Sequence, residues 1–248
     1  MDQWKGKVAI VTGASAGIGA AIAQALVHHG MVVVGLARRQ EKMQAIADEL
    51  AKANEPGKLY AVKVDLKSEE DILAAFEWVD KELGGADVLV NNAAYLKASF
   101  LKDGKSEDWR SMIDINVLSV CICTREYLKS MERRQNQHGH IFIINSVAGH
   151  SVEVSIAGVY CGTKHAVRAI SQCLRRELAD KNSTIKVTTI SPGLTKTEAT
   201  LRHLAHLGLQ KALEVTDVTQ ALVDVLTSSP VTQICEVILT PIPNMSVY

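Results

Sequence analysis

The sequence predicts an α/β fold: a doubly wound parallel sheet of about seven strands with helices on both faces, built as one domain. Two observations predict it. Short apolar runs rich in Val and Ile alternate with longer amphipathic stretches along the chain, and no linker, low-complexity segment or charge run interrupts the alternation. Right-handed crossovers between parallel strands then carry the helices to both faces.

The first apolar run, residues 7–12, leads into a glycine-rich turn and a helix over residues 18–29, with Gly30 as its stop signal. Residues 31–37 are apolar throughout, as a strand buried on both faces requires. A helix over about residues 41–53 ends before the turn pair Pro56-Gly57, and a third strand follows at 59–64. Ser68 and Asp71 have capping-box spacing at the start of a helix that runs to Leu83, where Gly84 and Gly85 end it. Strand four is read at 87–91, one long helix from 106 to roughly 134, and strand five at 140–145. A helix over about 155–179, a strand at 185–190, a helix at 217–226 and a last strand at 235–239 complete the order.

Composition narrows the function. The 248 residues carry 27 Lys and Arg against 27 Asp and Glu, and this zero net charge argues against a nucleic-acid partner. No apolar stretch is long enough for a membrane span, and the first residues do not read as a signal peptide. The five cysteines lack disulfide density or paired metal-ligand spacing, so a reducing, cytoplasmic address is expected.

The turn after the first strand reads Thr12-Gly13-Ala14-Ser15-Ala16-Gly17-Ile18-Gly19. Glycines there permit positive φ and let backbone N–H groups approach a pyrophosphate at a helix N-terminus. The spacing is GxxxGxG rather than the commoner GxGxxG, and the cofactor reading rests on its place between first strand and first helix. Where an acid at the end of the second strand would bind a ribose 2′-hydroxyl, this chain has Arg38 and Arg39. Guanidinium groups suit a 2′-phosphate, so NADP is expected over NAD.

Tyr160 and Lys164 lie one helical turn apart, Ser146 follows the fifth strand, Asn116 sits inside the long fourth helix, and Asn91-Asn92-Ala93-Ala94 closes the fourth strand. Removing a proton from an alcohol as its carbon loses hydride needs a base in hydrogen-bond reach. A free Tyr has a pKa of about 10, so such a base needs a shift of ~3 units, roughly 4 kcal/mol, which a neighbouring ammonium can supply. Ser146 suits the oxyanion-holding role.

With the glycine loop, these residues resemble the short-chain dehydrogenase/reductase family over nearly the whole chain, and thus a Rossmann-type sheet. The resemblance implies that Tyr160 is base in oxidation and acid in reduction, that Lys164 also holds the nicotinamide ribose, and that Asn116 positions a proton-relay water. It further implies cofactor contacts from Gly13, Ser15, Gly17, Ile18 and Gly19, from Asp65 and Leu66 at the adenine, and from Asn91 at the ribose. Pro192, Gly193, Thr195 and Thr197 would hold the nicotinamide end, although Thr195 stands where Val is commoner, and Ala94 replaces a usual Gly. A homodimer or homotetramer is implied too.

Two histidine pairs, His138 with His140 and His203 with His206, lack acid or Cys partners, so no metal is expected and both pairs are read as surface or cleft residues. A substrate lid is expected over about residues 195–215, leucine-rich at helical spacing. Tyr95, Leu96, His150, Val152, Leu201 and Leu204 are the expected substrate contacts, most of them apolar. The Ala37-Arg38-Arg39 strand end and the C-terminal Val237–Pro241 stretch look like the branch of the family containing insect farnesol dehydrogenase and a mammalian steroid- and carbonyl-active relative. The expected chemistry is therefore NADP-dependent interconversion of an apolar alcohol and its carbonyl, farnesol-like at its sharpest. A broad carbonyl or ketosteroid reductase is the alternative, and a cofactor sensor without turnover a third reading.

Overall fold

Strand residues with apolar side chains on both faces need cover on both sides, and the chain supplies it by alternation. The computed structural model describes residues 1–152, 155–198, 200–201 and 212–242. Its strands are β1 (Val8–Thr12), β2 (Val32–Ala37), β3 (Lys58–Lys63), β4 (Val88–Asn91), β5 (His140–Ile144), β6 (Lys186–Pro192) and β7 (Glu236–Leu239). They form one sheet in the order β3-β2-β1-β4-β5-β6-β7, and every neighbouring pair is parallel. The chain begins at the centre of the sheet, works outward to β3, then returns to lay β4 on the free side of β1. That reversal opens a crevice above the carboxyl ends of β1 and β4, where doubly wound sheets take ligands.

The helices among the described residues are α1 (Gly17–His28), α2 (Gln40–Lys52), α3 (Glu69–Leu83), α4 (Ser106–Ile113), α5 (Ser119–Arg133), α6 (Gly158–Asp180) and α7 (Val215–Leu226). Alternate strand residues feed two cores. Ile10, Leu36, Leu89, Ile141 and Val187 pack with Phe76, Tyr127 and Leu174 of α3, α5 and α6. Val11, Val33, Val90, Phe142 and Ile190 pack with Ile22, Leu26 and Leu222 of α1 and α7. The Tyr127 hydroxyl, fully buried, donates to the Asp87 carbonyl at 2.7 Å, so the lower end of β4 is fastened to α5.

Local signals act largely as read. Ser68 caps α3 by accepting from the Asp71 N–H at 3.1 Å, and Gly84 ends that helix at φ +73°. The Asp71 carboxylate does not close the box on the Ser68 N–H; it accepts from the Asp65 N–H at 2.9 Å instead. Three expectations are corrected. The long helix over 106–134 is two helices joined by a π-helical turn, Asp114–Leu118, with Asn116 buried in the widened turn. Helix α6 starts at Gly158, after a 3-10 turn at Ser155–Ala157, rather than at 155. His140 is no surface or cleft residue: it lies in β5, 1% exposed, stacked on Phe142 at 4.0 Å, with Nε2 2.9 Å from Thr188 Oγ1. His203 and His206 lie outside the described residues, and His138 is exposed.

Candidate active site

The crevice floor is backbone. Gly13 and Gly17 take positive φ, +70° and +56°, as the turn into α1 requires. A Cβ at Gly13 would come within 2.9 Å of Ala93 Cα, and one at Gly19 would meet Asn92 Nδ2 and lie 2.5 Å from Gly13 O. Side chains are thus excluded where a pyrophosphate would need backbone N–H groups, and the cradle fits a dinucleotide. Asn92 fastens it, donating from Nδ2 to Thr12 O at 2.8 Å. The Thr12 hydroxyl accepts from the Asn92 and Ala93 N–H groups, both at 3.0 Å.

Asn91, expected beside a ribose, is buried and donates from Nδ2 to Thr124 Oγ1 at 3.1 Å. Asn92 and Thr12 are the residues that sequence reasoning missed; a doubled Asn after a strand does not say which one the pleat turns upward. Leu66 packs its side chain into the core, so only its backbone is free to face a ligand, while Asp65 accepts from the Lys67 N–H at 3.0 Å. Ser15 and Ile18 stand in the glycine turn and the first turn of α1, both partly exposed.

Across the crevice, Gly193 N–H donates to Leu239 O at 2.7 Å, which anchors the exit of β6 to β7 beside Pro192. Thr195 is buried and pairs as an isolated bridge with Leu213. Thr197 comes within 3.2 Å of the place a Gly17 Cβ would take, so this segment passes directly over the glycine loop. Arg38 lines a groove with Gln40, Glu41, Gln44 and Lys63, and Arg39 stands at the N-cap position of α2 without a capping bond from its side chain.

Ser146, Tyr160 and Lys164 come together at the ends of β5 and α6. Ser146 opens a 3-10 turn, Val147–Gly149, and its hydroxyl accepts from the Ala148 N–H at 3.1 Å. It also stands beside the Tyr160 hydroxyl closely enough to lower that phenol's pKa. Lys164 is buried, its Nζ 5.7 Å from the Tyr160 ring centroid and donating to Ile144 O at 3.0 Å. Burial lowers the Lys164 ammonium to about 8. Burial also pushes the Tyr160 phenol up to about 12, against the opposing pull of Ser146. The lowered phenol expected from the Tyr–Lys spacing is not found in this state of the chain, because desolvation outweighs the one lowering influence, the Ser146 hydroxyl.

Asn116 is 2% exposed and its side chain is fully engaged. Oδ1 accepts from the Tyr95 N–H at 2.7 Å, and Nδ2 donates to Tyr95 O at 2.9 Å and Thr163 Oγ1 at 3.0 Å. Thr163 in turn donates to Tyr160 O at 2.7 Å. Asn116 therefore locks the loop after β4 to the first turns of α6.

The expected substrate contacts divide. Leu96, Val152 and Leu201 are exposed apolar side chains, and Tyr95 is partly buried with its hydroxyl donating to Asp108 Oδ1 at 3.1 Å. The loops carrying them are joined where the Ser99 N–H donates to Ile156 O at 2.8 Å. The His150 ring is buried, with Nε2 2.9 Å from Glu236 Oε1 and 3.1 Å from Ser191 Oγ. Burial lowers its pKa against the pull of Glu236. Leu204 and most of the expected lid lie outside the described residues. Among the described residues no three His, Cys, Asp or Glu gather as a metal site, and no helix is long and apolar enough to cross a membrane.

Residues 7–206 match the family described as short chain dehydrogenase, and the chain belongs to that family. Among its relatives, farnesol dehydrogenase of Aedes aegypti is 44% identical, the match covering 98% of this chain and 98% of the relative. Dehydrogenase/reductase SDR family member 11 of Gallus gallus is 43% identical, covering 99% of this chain and 100% of the relative. Among solved structures, the closed form of serine dehydrogenase complexed with NADP+ superposes with a TM-score of 0.83 at 31% identity, over 97% of this chain and 99% of that one. An alcohol dehydrogenase from Thermococcus sibiricus complexed with 5-hydroxy-NADP gives 0.85 over 98% and 100%; at 24% identity it speaks for the fold alone.

Proposed function

We propose that the chain is an NADP-dependent short-chain alcohol dehydrogenase/carbonyl reductase acting on an apolar alcohol or carbonyl, with farnesol-like isoprenoid alcohols as its sharpest candidate. The observation that carries the reading is the convergence of Ser146, Tyr160 and Lys164 beside a side-chain-free backbone cradle. The Aedes aegypti relative supports the isoprenoid choice, and the exposed apolar Leu96, Val152 and Leu201 favour a hydrophobic partner.

In this reading Gly13, Ser15, Gly17, Ile18 and Gly19 hold the pyrophosphate, Arg38 and Arg39 the 2′-phosphate, and Asp65 with the Leu66 backbone the adenine. Pro192, Gly193, Thr195 and Thr197 face the nicotinamide end. NADP, when bound, supplies the hydride acceptor or donor. The chain's own residues handle the oxygen and its proton. In reduction the Tyr160 phenol gives its proton to the carbonyl oxygen while the Ser146 hydroxyl donates a hydrogen bond to the same atom. In oxidation Tyr160 receives that proton, and the Lys164 ammonium stabilises the phenolate left behind in the reverse direction. Asn116 holds Tyr95 and Thr163 and would position the water of a proton relay to Lys164. Assembly as a homodimer or homotetramer belongs to the same reading, with exposed Ile113 and Leu118 available for helix contacts.

Steady-state kinetics with NADP+ and NAD+ on farnesol, a hydroxysteroid and a short 3-hydroxy acid test the proposal. Turnover of farnesol with NADP+ above the other two is expected; no turnover of farnesol sinks the isoprenoid assignment. The raised Tyr160 phenol favours a second reading, a broad NADPH-dependent carbonyl reductase, because it keeps the proton donor loaded at neutral pH. Replacing Tyr160 by Phe separates both from a sensor: an enzyme loses turnover but still binds NADP.

A further inference from the structure

Glu198 belongs to the segment after β6, yet its carboxylate reaches back to α2. Arg39 Nη1 lies 3.4 Å from Oε2, and Lys42 Nζ lies 3.4 Å from Oε1 and 3.3 Å from Oε2. These pairs join positions 159 and 156 residues apart, so they are not local helix pairing. One residue earlier, Thr197 packs over the glycine loop at Gly17. The Glu198 carboxylate therefore bridges the adenosine side of the crevice from its roof to α2, and it sits on Arg39, one of the two cations expected to meet a 2′-phosphate.

Arg39 is the N-cap of α2 and Lys42 is three residues on, so both cations converge on one point beside a helix N-terminus. A carboxylate is the group in a protein chain closest in chemistry to a phosphate monoester: oxygen acceptors with negative charge. The two cations also hold the Glu198 carboxyl below its usual range, Lys42 contributing most.

We propose that Glu198 is an internal competitor for the 2′-phosphate of NADP and that Lys42 is a further cation for that phosphate, so the pair sets the margin between NADP and NAD. The inference rests on the NADP reading above. A phosphate monoester carries about −1.5 to −2 charges and three acceptor oxygens, so it outbids a single carboxylate for the same cations. All three side chains are about half exposed, 44% for Arg39, 45% for Lys42 and 55% for Glu198, so the exchange needs no repacking. The sign is the same whether Glu198 swings away or stays: in the first case a pair is broken, in the second a carboxylate faces the phosphate. Either way Glu198 weakens NADP binding and leaves NAD, which has no 2′-phosphate, nearly untouched.

Calorimetric titration of the purified chain with NADP+ and with NAD+ tests this on the wild type and on E198Q, K42Q and E49Q. Glu49 is exposed near the far end of α2, away from Arg38 and Arg39, so E49Q controls for loss of a general negative charge. For E198Q we expect NADP+ affinity to rise about two- to fivefold, the range of an exposed ion pair, with NAD+ unchanged. For K42Q, NADP+ affinity falls by a similar factor, again without NAD+ following, and adding E198Q to it yields a smaller gain than E198Q alone. An E198Q that weakens NADP+ or leaves it unchanged, an E49Q effect equal to that of E198Q, or parallel shifts in both cofactors overturns the inference. A wild type that prefers NAD+ overturns the cofactor reading itself, and this inference with it.

Discussion

Lys164 is a cation enclosed by protein, and its burial has opposite consequences for stability and for chemistry. Its ammonium titrates near 8 instead of its ordinary 10.5, so the folded chain carries this charge at a cost on the order of 3 kcal/mol. That cost is present in full below about pH 8 and vanishes as pH rises towards 10.5, because only in that window does the unfolded chain hold the proton more often. Lys164→Met is therefore expected to abolish turnover yet to melt no lower than wild type at pH 7, with the stability difference shrinking above pH 8; thermal melts at several pH values check it. Tyr160, pushed up to about 12, keeps its proton through neutral pH. Carbonyl reduction should stay level from pH 6 to 8 while alcohol oxidation climbs with pH, up to about tenfold per unit, as paired rate profiles would show. At Gly19, an added methyl group meets Asn92 Nδ2 and Gly13 O. Gly19→Ala should weaken NADP+ binding at least tenfold by shifting the cradle, with secondary structure intact by circular dichroism.

The π-helical turn at Asp114–Leu118 belongs to the scale of the element. It turns Asn116 inward, and that one amide holds both backbone groups of Tyr95. Asn116→Ala strands those groups in a partly buried loop and should cost on the order of 2 kcal/mol, read from urea unfolding, with kcat falling as the loop loosens. In β5, His140 is neutral and its pKa is lowered by burial to about 3, from 6.5 when unfolded. Above pH 6.5 this costs nothing, but as pH falls towards 3 the unfolded chain takes up a proton that the folded chain refuses, and the stability lost reaches roughly 2 kcal/mol at pH 5. His140→Gln should flatten that acid limb of the stability curve. Elements of this kind were legible in unequal measure. Strands such as Val8–Thr12 announce themselves, because burial on both faces forces an unbroken apolar run. The π turn does not, since one extra residue per turn barely disturbs a helical apolar pattern. The same applies to His150: its place after Ser146 is plain from sequence, but the 3-10 turn rotates it towards Glu236, and only distant β7 decides that.

For the molecule as a whole, topology does most of the positioning. Strand order brings β1, β4 and β5 side by side, so motifs about 80 and 130 residues apart meet at one crevice. The glycine loop and the Ser146–Tyr160–Lys164 group were therefore legible, each having a spacing tied to a strand end. Which Asn of the pair at 91 and 92 faces the loop was not, because it depends on where the pleat of β4 ends. Charge behaves the same way: a chain with zero net charge gathers Arg38, Arg39 and Lys42 at one edge and sets Glu198 against two of them.

The bridge between Thr195 and Leu213 carries a further consequence. The Leu213 N–H donates to Leu194 O at 2.9 Å and the Lys196 N–H to Leu213 O at 2.8 Å, so residues 194–196 and Leu213 are clasped to each other just beyond β6. Thr197 and Glu198 follow directly on that clasp, so the reach of both over the glycine loop and α2 is set from the sheet side of the chain.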